Sequence, residues 1–232
     1  MKSSRKSTQQ SMSAAAQIAA YLDRIFGRRK GIVLIAFGSG GHFNEKDTYR
    51  PETWEQQTLT WPRDRDALIS EALEVAPNVD VYISPTLRTA PNRRKGSSDA
   101  SEYLWADVDT LGPNTFKRLD TILSEGSFLV HSGQPGHLHV YIRLDDFYPP
   151  QVVEDLNKQL MRFLGGDSKW DETSVLRLPG TLNHKSRAAG RSSHNKEADR
   201  LIQTLEDYLR DGRPQRSAPG PGQLSLFGRD EP

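Results

Sequence analysis

The sequence predicts an α+β fold in which a strand-rich sheet is packed against helices. Two observations support this class. Short runs of β-branched and aromatic residues alternate along the chain with longer segments whose apolar residues recur at helical spacing. Their order is strand, helix, strand, strand, helix, hairpin, helix, which indicates an α/β or α+β sandwich. Such a sandwich leaves one sheet face free for a site.

Composition narrows the class of protein. The 232 residues suffice for one medium domain with tails, and 35% hydrophobic with 26% charged residues is typical of a soluble globular protein. The formal net charge of +1 neither requires nor excludes nucleic acid, because a basic patch can be hidden in a neutral total. The absence of cysteine excludes disulfides and Cys-ligated zinc. No apolar run approaches the roughly 20 residues that span a bilayer, so we expect a cytoplasmic protein without a membrane partner.

The first elements follow from capping and apolar spacing. Residues 1–13 contain three basic residues and no acid, and we predict a disordered basic arm. Ser13 is a candidate N-cap for a helix whose apolar residues continue to Phe26. The apolar run at 32–37 predicts a buried strand. The glycine-rich stretch after it opens a loop that we expect to continue to about Pro62, without a phosphate-loop signature.

The remaining elements are predicted in the same way. Helices are expected over 64–76, 113–123, 149–164 and 198–209, strands over 79–84 and 104–109, and a hairpin with strands at 127–131 and 137–144. Residues 14–211 would thus form one domain. In the segment 212–232, eight of 21 residues are glycine or proline, which predicts a flexible tail.

A pair of carboxylates organises the chain. Asp107 and Asp109 end the strand at 104–109, and because side chains alternate in a strand they point the same way, roughly 7 Å apart. Two carboxylates on one face of an apolar strand repel each other and resist burial. A hard divalent cation such as Mg²⁺ or Mn²⁺ removes both problems. The alternative is a strand end with two solvated aspartates.

Basic residues precede this pair in sequence. Arg88 is followed by the run Arg93-Arg94-Lys95 in the loop before the Asp-x-Asp strand. A basic loop is usually only solvated. Beside a metal site, however, Arg88, Arg93, Arg94 and Lys95 become candidates for contacts with DNA or other phosphates.

Two further motifs lie downstream. The hairpin carries Ser132-Gly at its turn and His137-Leu-His139-Val-Tyr on its second strand. Asp171 follows the helix at 149–164, and after it comes Arg177-Leu-Pro-Gly-Thr-Leu-Asn-His-Lys185. In this order, the three motifs resemble those of the archaeo-eukaryotic primase superfamily, most of all its primase-polymerase branch from phages and plasmids. The resemblance covers about residues 79–186.

The resemblance implies an RRM-like, antiparallel-rich sheet and a primase-polymerase catalytic core. Such an enzyme makes and extends primers on single-stranded DNA from NTPs or dNTPs with two Mg²⁺ or Mn²⁺ ions. Asp107, Asp109 and Asp171 match the metal-binding carboxylates of the family, while Asp167 competes with Asp171 for the third place. His139 matches the histidine that contacts the triphosphate. The other residues expected at the nucleotide site are Ser132, Arg177, Thr181, Asn183 and Lys185.

Departures from the family pattern are few. His137 adds a second imidazole two residues before His139. A zinc-binding cluster is missing from the sequence, and a helicase motor is missing as well. The resemblance therefore implies that a separate helicase unwinds the duplex.

The tail contains an apolar pentapeptide, Gln223-Leu-Ser-Leu-Phe227. It is similar to the peptide with which bacterial polymerases and repair proteins bind the β sliding clamp. Exposed leucines and a phenylalanine in a disordered tail reduce solubility unless a partner binds them. The residues expected to bind the clamp are Gln223, Leu224, Leu226 and Phe227. A chance apolar patch is the alternative.

Two other functions are considered. His137 and His139, which flank one apolar residue on a strand, are also typical of rolling-circle replication and relaxase nucleases with a tyrosine nucleophile, here Tyr208. That function gives Asp107 and Asp109 no role. The second alternative is a non-catalytic module that binds DNA or nucleotide, in which clustered carboxylates would only cost stability.

Overall fold

Two larger antiparallel sheets, a two-stranded sheet and four helices form the part of the chain that this computed structural model describes, residues 12–45, 49–132 and 136–185. The helices are α1 (Ala14–Phe26), α2 (Arg65–Val75), α3 (Pro113–Ile122) and α4 (Pro150–Leu164). The strands are β1 (Gly31–Ser39), β2 (His42–Phe43), β3 (Tyr49–Arg50), β4 (Thr53–Trp61), β5 (Asp80–Ile83), β6 (Ser101–Val108), β7 (Phe128–His131), β8 (Leu138–Tyr148) and β9 (Leu176–Arg177). The first sheet has the order β4-β1-β5-β9 and the second the order β6-β8-β7, and β2 pairs with β3.

β1 is an inner strand of the first sheet. It pairs antiparallel with β4 from Gly31↔Trp61 to Ser39↔Thr53, and with β5 on its other side. Val33 and Ile35 on one face of β1 are buried in the main apolar cluster together with side chains of α1 and α2. Leu34 and Ala36 on the other face are buried as well, so both faces of this inner strand are covered.

α1 connects the two sheets. Ser13 is its N-cap, as predicted, and its hydroxyl oxygen accepts a hydrogen bond from the N–H of Ala16 at 3.3 Å. The Tyr21 hydroxyl shares a 3.0 Å hydrogen bond with the Tyr141 hydroxyl of β8. Phe26 packs edge-on against Trp61 of β4, with ring centroids 5.4 Å apart. The helix therefore contacts both sheets and belongs to the core.

β8 is the central strand of the second sheet. It pairs with β6 in the register Trp105↔Tyr141 and Asp107↔His139, and with β7 on its other side. The alternate β6 residues Leu104 and Ala106 are buried, and α4 packs against β6. Because side chains alternate along a strand, Asp107 and His139 share the sheet face of Tyr141, whose hydroxyl meets Tyr21 of α1.

The predicted fold class is confirmed, with one sheet more than expected. The stretch predicted to be a loop up to about Pro62 contains β4, an edge strand of nine residues. Its first five residues, 53–57, are all exposed, so the alternation of buried and exposed residues that identifies a strand is absent there. None of the helices in the described ranges has the length and apolar character needed to cross a membrane. The predicted arm, last helix and tail lie outside the described residues, apart from residues 12 and 13.

Candidate active site

Asp107 and Asp109 lie at the end of β6, each beside a histidine of the hairpin. Asp107 is the register partner of His139, and Asp107 Oδ1 lies 3.6 Å from His139 Nε2. One pleat further along, His137 Nδ1 forms a 2.7 Å hydrogen bond with Asp109 Oδ1. Antiparallel pairing thus places two carboxylates and two imidazoles side by side.

Asp167 brings a third carboxylate to this pair. α4 ends at Gly165, whose φ of 71° reverses the chain direction. Asp167 then forms an isolated β-bridge with Asp107, in which its N–H donates to the Asp107 carbonyl oxygen at 2.7 Å. One carboxylate oxygen each of Asp107, Asp109 and Asp167 lies within 4.8 Å of the others.

Gly166 permits this close approach. A Cβ at position 166 would lie 2.5 Å from the carbonyl oxygen of Asp107, closer than any real side chain comes. Two hydrogen bonds hold the segment that follows. Trp105 Nε1 donates to the carbonyl oxygen of Lys169 at 2.8 Å. Asn157 Nδ2 donates to the carbonyl oxygen of Trp170 at 3.2 Å. Sequence reasoning assigned no role to Gly166, Trp105 or Asn157, because the spacing of motifs contains no information about these contacts.

The three carboxylates disfavour one another's charge. Burial, followed by the charges of Asp109 and Asp167, raises the pKa of Asp107 to about 6. Burial and the neighbouring Asp109 also raise the pKa of Asp167. The hydrogen bond from His137 instead lowers the pKa of Asp109 to about 2. A cation would relieve this repulsion, and three carboxylates are the oxygen donors that Mg²⁺ and Mn²⁺ prefer, so the residues fit such a metal.

His139 is buried, with 3% of its surface exposed. Burial, and then the charge of Arg177, lowers the pKa of its imidazole to about 3, so the ring is neutral at pH 7. Its Nδ1 atom is buried without a hydrogen-bond partner among the residues described here. Because such an atom costs free energy unless it is satisfied, this nitrogen is positioned to bind a ligand.

Arg177 faces the histidine from the first sheet. It lies opposite Tyr82 in the β5–β9 pair, its Nη1 forms an ion pair with Asp80, and its Nη2 donates to the Tyr82 hydroxyl at 3.2 Å. Asp80 is completely buried and also accepts hydrogen bonds from Tyr49 and from the backbone N–H of His184. The candidate site therefore lies between the two sheets, with Arg177 held by a buried carboxylate that the sequence analysis did not single out.

The segment after β9 closes one side of the site. Asn183 Nδ2 donates to the carbonyl oxygen of Ser132 at 2.6 Å, and Thr181 Oγ1 donates to that of Leu178 at 2.6 Å. Both side chains therefore form hydrogen bonds to backbone carbonyl oxygens of the protein. The backbone N–H of Lys185 donates to Asn183 Oδ1 at 3.0 Å.

Asp171 is not part of the carboxylate group. Its Oδ1 accepts hydrogen bonds from the Thr173 N–H at 3.1 Å, the Thr173 hydroxyl at 2.9 Å and the Ser174 hydroxyl at 3.1 Å. These bonds close a turn ahead of β9. The structure thus groups Asp167, and not Asp171, with Asp107 and Asp109. The spacing to Arg177 favours Asp171 in the sequence. The turn at Gly165 and the β-bridge that bring Asp167 to the site cannot be inferred from the spacing of a motif.

Arg88 requires a correction of its predicted contact with phosphate. Only 1% of its surface is exposed, and its guanidinium donates to the carbonyl oxygens of Asn92 at 3.2 Å, Arg94 at 2.8 Å and Glu172 at 2.6 Å. Burial lowers its pKa. Arg88 therefore supports the basic loop from beneath and does not extend from it.

The other three basic residues of the loop are at the surface. Arg94 and Lys95 are exposed, and Lys95 Nζ lies 3.2 Å from a carboxylate oxygen of Glu154 on α4. Arg93 is half-buried, and its guanidinium carbon lies 5.7 Å from the ring centroid of Trp54. Arg94 is therefore open to a phosphate-bearing ligand, whereas Lys95 already contacts Glu154 and Arg93 already contacts the indole.

The nuclease alternative finds little support in this arrangement. His137 and His139 each face a carboxylate, and neither belongs to the group of described side chains that could hold a metal ion. The tyrosine proposed for that function, Tyr208, lies outside the described residues, as does the clamp-binding-like peptide 223–227.

The fold resembles solved structures of primase domains. The archaeo-eukaryotic primase (AEP) domain of the primase-polymerase of cyanophage S-2L matches with a TM-score of 0.51 and 15% identity, over 82% of this chain and 96% of that one. The primase RepB′ matches with a TM-score of 0.51 and 13% identity, over 85% of this chain and 65% of that one. No protein-family model matches the chain, and a search of curated proteins finds no relative. At these identities the likeness shows the fold, which is that of AEP primase-polymerases.

Proposed function

We propose that this protein is a DNA primase-polymerase, which forms and extends primers on single-stranded DNA. One observation carries the proposal. In a fold shared with AEP primase-polymerases, Asp107, Asp109 and Asp167 present oxygens within 4.8 Å of one another beside a buried histidine with an unsatisfied nitrogen. Non-catalytic binding would leave this repulsive group without a use.

Asp107, Asp109 and Asp167 would hold two Mg²⁺ or Mn²⁺ ions together with phosphate oxygens of the nucleotide. When bound, the ions would activate the attacking hydroxyl and stabilise the leaving pyrophosphate. His137 would orient the Asp109 carboxylate, because it already forms a hydrogen bond with its Oδ1.

The reaction proposed is nucleotidyl transfer. The 3′-hydroxyl of the growing strand loses its proton to solvent and its oxygen forms a bond to the α-phosphorus of an NTP or dNTP, while the bond from that phosphorus to the bridging oxygen breaks and pyrophosphate leaves. Negative charge then grows on the leaving group. His139, which is neutral, would bind a phosphate oxygen by hydrogen bonding, and Arg177 with Lys185 would supply positive charge.

Two of the residues assigned to the nucleotide site would act indirectly. Asn183 holds the backbone of Ser132, and Thr181 holds its own turn, so both would position the chain beside the nucleotide. Arg93, Arg94 and Lys95 would contact phosphates of the template. Unwinding of duplex DNA would require a separate helicase.

The proposal extends to the tail. The pentapeptide Gln223–Phe227, with Leu224 and Leu226, would bind a β sliding clamp and keep the enzyme on its template. Support for this comes from the sequence similarity of the peptide alone.

The decisive experiment omits any ready-made primer. The purified protein is incubated with single-stranded DNA, Mn²⁺ or Mg²⁺ and labelled nucleotides, beside an Asp107→Asn, Asp109→Asn double variant. New short strands from the wild type alone would support a primase. Extension of an added primer without new starts would restrict the function to a polymerase. Cleaved DNA covalently attached to the protein would support the nuclease, and DNA binding without any product would support a binding module.

A further inference from the structure

Four side chains form a continuous cation–aromatic stack from Arg93 of the basic loop to Arg177 of β9. Arg93 lies over the ring of Trp54 at 5.7 Å, the Trp54 and Tyr82 rings are 5.2 Å apart, and the Arg177 guanidinium carbon lies 4.9 Å from the Tyr82 centroid. At the inner end of the stack, Arg177 is held by its ion pair with Asp80 and by its hydrogen bond to the Tyr82 hydroxyl. We call these four side chains the aromatic stack.

Trp54 is the exposed end of the aromatic stack. It is 38% exposed, which is unusual for the residue type with the largest apolar surface. It lies on β4 opposite Gly38, and a Cβ at Gly38 would come within 3.5 Å of its ring. The indole therefore lies over backbone, with Tyr82 and Arg93 as neighbours, and its exposed part is open to a ligand.

The surrounding strand surface is suited to a polyanion. On β4 the residues that share the face of Trp54 are Gln56 and Thr58, which carry no charge, whereas Glu55 alternates to the opposite face. The cations come from the adjoining loop, where Arg93 is half-buried against the indole and Arg94 is exposed. Exposed aromatic rings beside a row of cations are the features with which proteins bind single-stranded nucleic acid.

We propose that Trp54 stacks on a base of single-stranded DNA while Arg93 contacts an adjacent phosphate. This inference rests on the proposed function and adds a named binding surface to it. The bound strand would follow the aromatic stack, with the base on Trp54 outside the site and the strand leading towards Tyr82 and Arg177. Every base presents a π face, so the contact would tolerate any sequence.

The DNA strand is a better occupant than the base of the incoming nucleotide. The triphosphate would be held by His139, Lys185 and the carboxylates, whereas Trp54 is separated from Arg177 by the intervening ring of Tyr82. The loop also carries two consecutive arginines at the exposed end, which matches the repeated phosphates of a strand.

The test measures binding of a labelled oligothymidylate by fluorescence anisotropy, without metal or nucleotide. Trp54→Ala is expected to weaken binding by roughly 5- to 100-fold, because the stacked base loses its partner. Trp54→Phe should weaken binding much less, because phenylalanine also offers an aromatic face. Arg93→Ala is expected to weaken binding and to reduce the slope of log Kd against log salt by about one. Phe147→Ala is the matched control, since Phe147 is also an exposed aromatic residue (43%) with an arginine, Arg29, 4.6 Å above its ring.

An abasic strand separates stacking from structural damage. It keeps the phosphates and removes the bases, so the wild type and Trp54→Ala should bind it equally. The inference is overturned if Trp54→Ala weakens both strands alike, or if it leaves oligothymidylate binding unchanged. It is also overturned if Trp54→Ala raises only the KM for nucleotide. A wild type that neither binds single-stranded DNA nor forms product would overturn the proposed function as well.

Discussion

The backbone N–H of Asp167 donates to the carbonyl oxygen of Asp107 at 2.7 Å. This bond, and not the motif that carries Arg177, brings the third carboxylate to the pair on β6. The position of the Asp167 side chain therefore depends on the contact between its own backbone and that of Asp107. An uncharged substitution that moves either backbone should displace this carboxylate.

The first prediction distinguishes the two candidates for the third ligand. Asp167→Asn is expected to reduce primer extension by roughly 100-fold or more, because it removes a negative oxygen from the metal group. Asp171→Asn is the control, since an amide oxygen can still accept the bonds from Thr173 and Ser174. Extension rates at saturating Mn²⁺ decide between them, and a large loss with Asp171→Asn alone would restore the motif-based prediction.

A methyl group at position 166 should also weaken the metal-binding group, by displacing Asp167. Gly166→Ala places a Cβ against the Asp107 carbonyl oxygen, so the backbone must move and carry Asp167 away from the other carboxylates. We expect the Mn²⁺ concentration for half-maximal activity to rise by roughly 10- to 100-fold.

Gly165→Ala is the matched control for that substitution. It imposes a left-handed φ of 71° on alanine but meets nothing within 4 Å, so it should cost about 1 kcal/mol of stability without changing the metal requirement. If the two alanine variants show the same metal dependence, the contact at Gly166 has no role in positioning Asp167.

Because the pKa of Asp107 is raised in the folded protein, replacing this carboxylate by a neutral side chain is predicted to stabilise the metal-free protein at neutral pH. The pKa is about 6 in the folded protein against 3.8 in the unfolded chain, so the folded state binds the proton more tightly. The free energy of unfolding of the metal-free wild type should therefore rise as the pH falls from about 6 to about 4, as far as this group contributes. Asp107→Asn should stabilise the metal-free protein at pH 7.5 by roughly 1–3 kcal/mol.

Denaturant unfolding with a chelator at pH 7.5 and pH 4 measures this effect. The advantage of Asp107→Asn should shrink at the lower pH, where the wild-type carboxyl is protonated. Added Mn²⁺ should raise the melting temperature of the wild type and leave the variant nearly unchanged. An Asp107→Asn protein that is less stable than the wild type at pH 7.5 would contradict the burial and repulsion described for this carboxylate.

Arg88 and Arg94 should respond to alanine in opposite ways. Arg88→Ala removes a buried guanidinium from three carbonyl oxygens and should destabilise the protein by roughly 3 kcal/mol or more. Arg94→Ala changes an exposed side chain, so stability should stay within about 0.5 kcal/mol while DNA affinity and its salt dependence fall. Thermal unfolding and DNA binding of both variants provide the comparison, and equal stability of the two would contradict the structural role of Arg88.

Binding of a sliding clamp by the tail should be separable from primer extension by mutation. Replacement of Leu226 and Phe227 by alanine should abolish binding to a bacterial β sliding clamp while extension of short templates without the clamp is unchanged. Surface plasmon resonance with immobilised clamp measures the first effect. Ser225→Ala, inside the same pentapeptide, should retain binding, and loss of binding with this variant as well would indicate that the contact does not depend on the apolar side chains.

Local signals explain what could be predicted from the sequence. Asp107 and Asp109 were predicted to share a face because alternation along a strand depends only on neighbouring residues. The N-cap at Ser13 was predictable for the same reason. These features need no knowledge of which distant segments meet.

Long-range contacts explain what the sequence analysis missed. The exposed edge of β4 lacks apolar alternation, so the sequence predicts a loop around Trp54 where the structure has a strand. Asp167 reaches the site only through a bridge to another strand, and Arg88 was assigned to the surface because its buried carbonyl partners are backbone groups. Backbone acceptors are present at every residue, so the sequence does not indicate which of them an arginine will meet.

The β6–β8 register has a consequence for how this site tolerates change. Asp107 and His139, with Asp109 and His137 one pleat along, depend on a single alignment of two strands. A substitution removes one of these four groups, whereas insertion of one residue between Leu104 and Asp107 would turn both aspartates to the opposite face at once. In a library of single-residue insertions and deletions, inactive members should therefore cluster in this short stretch, even where the inserted residue is itself harmless.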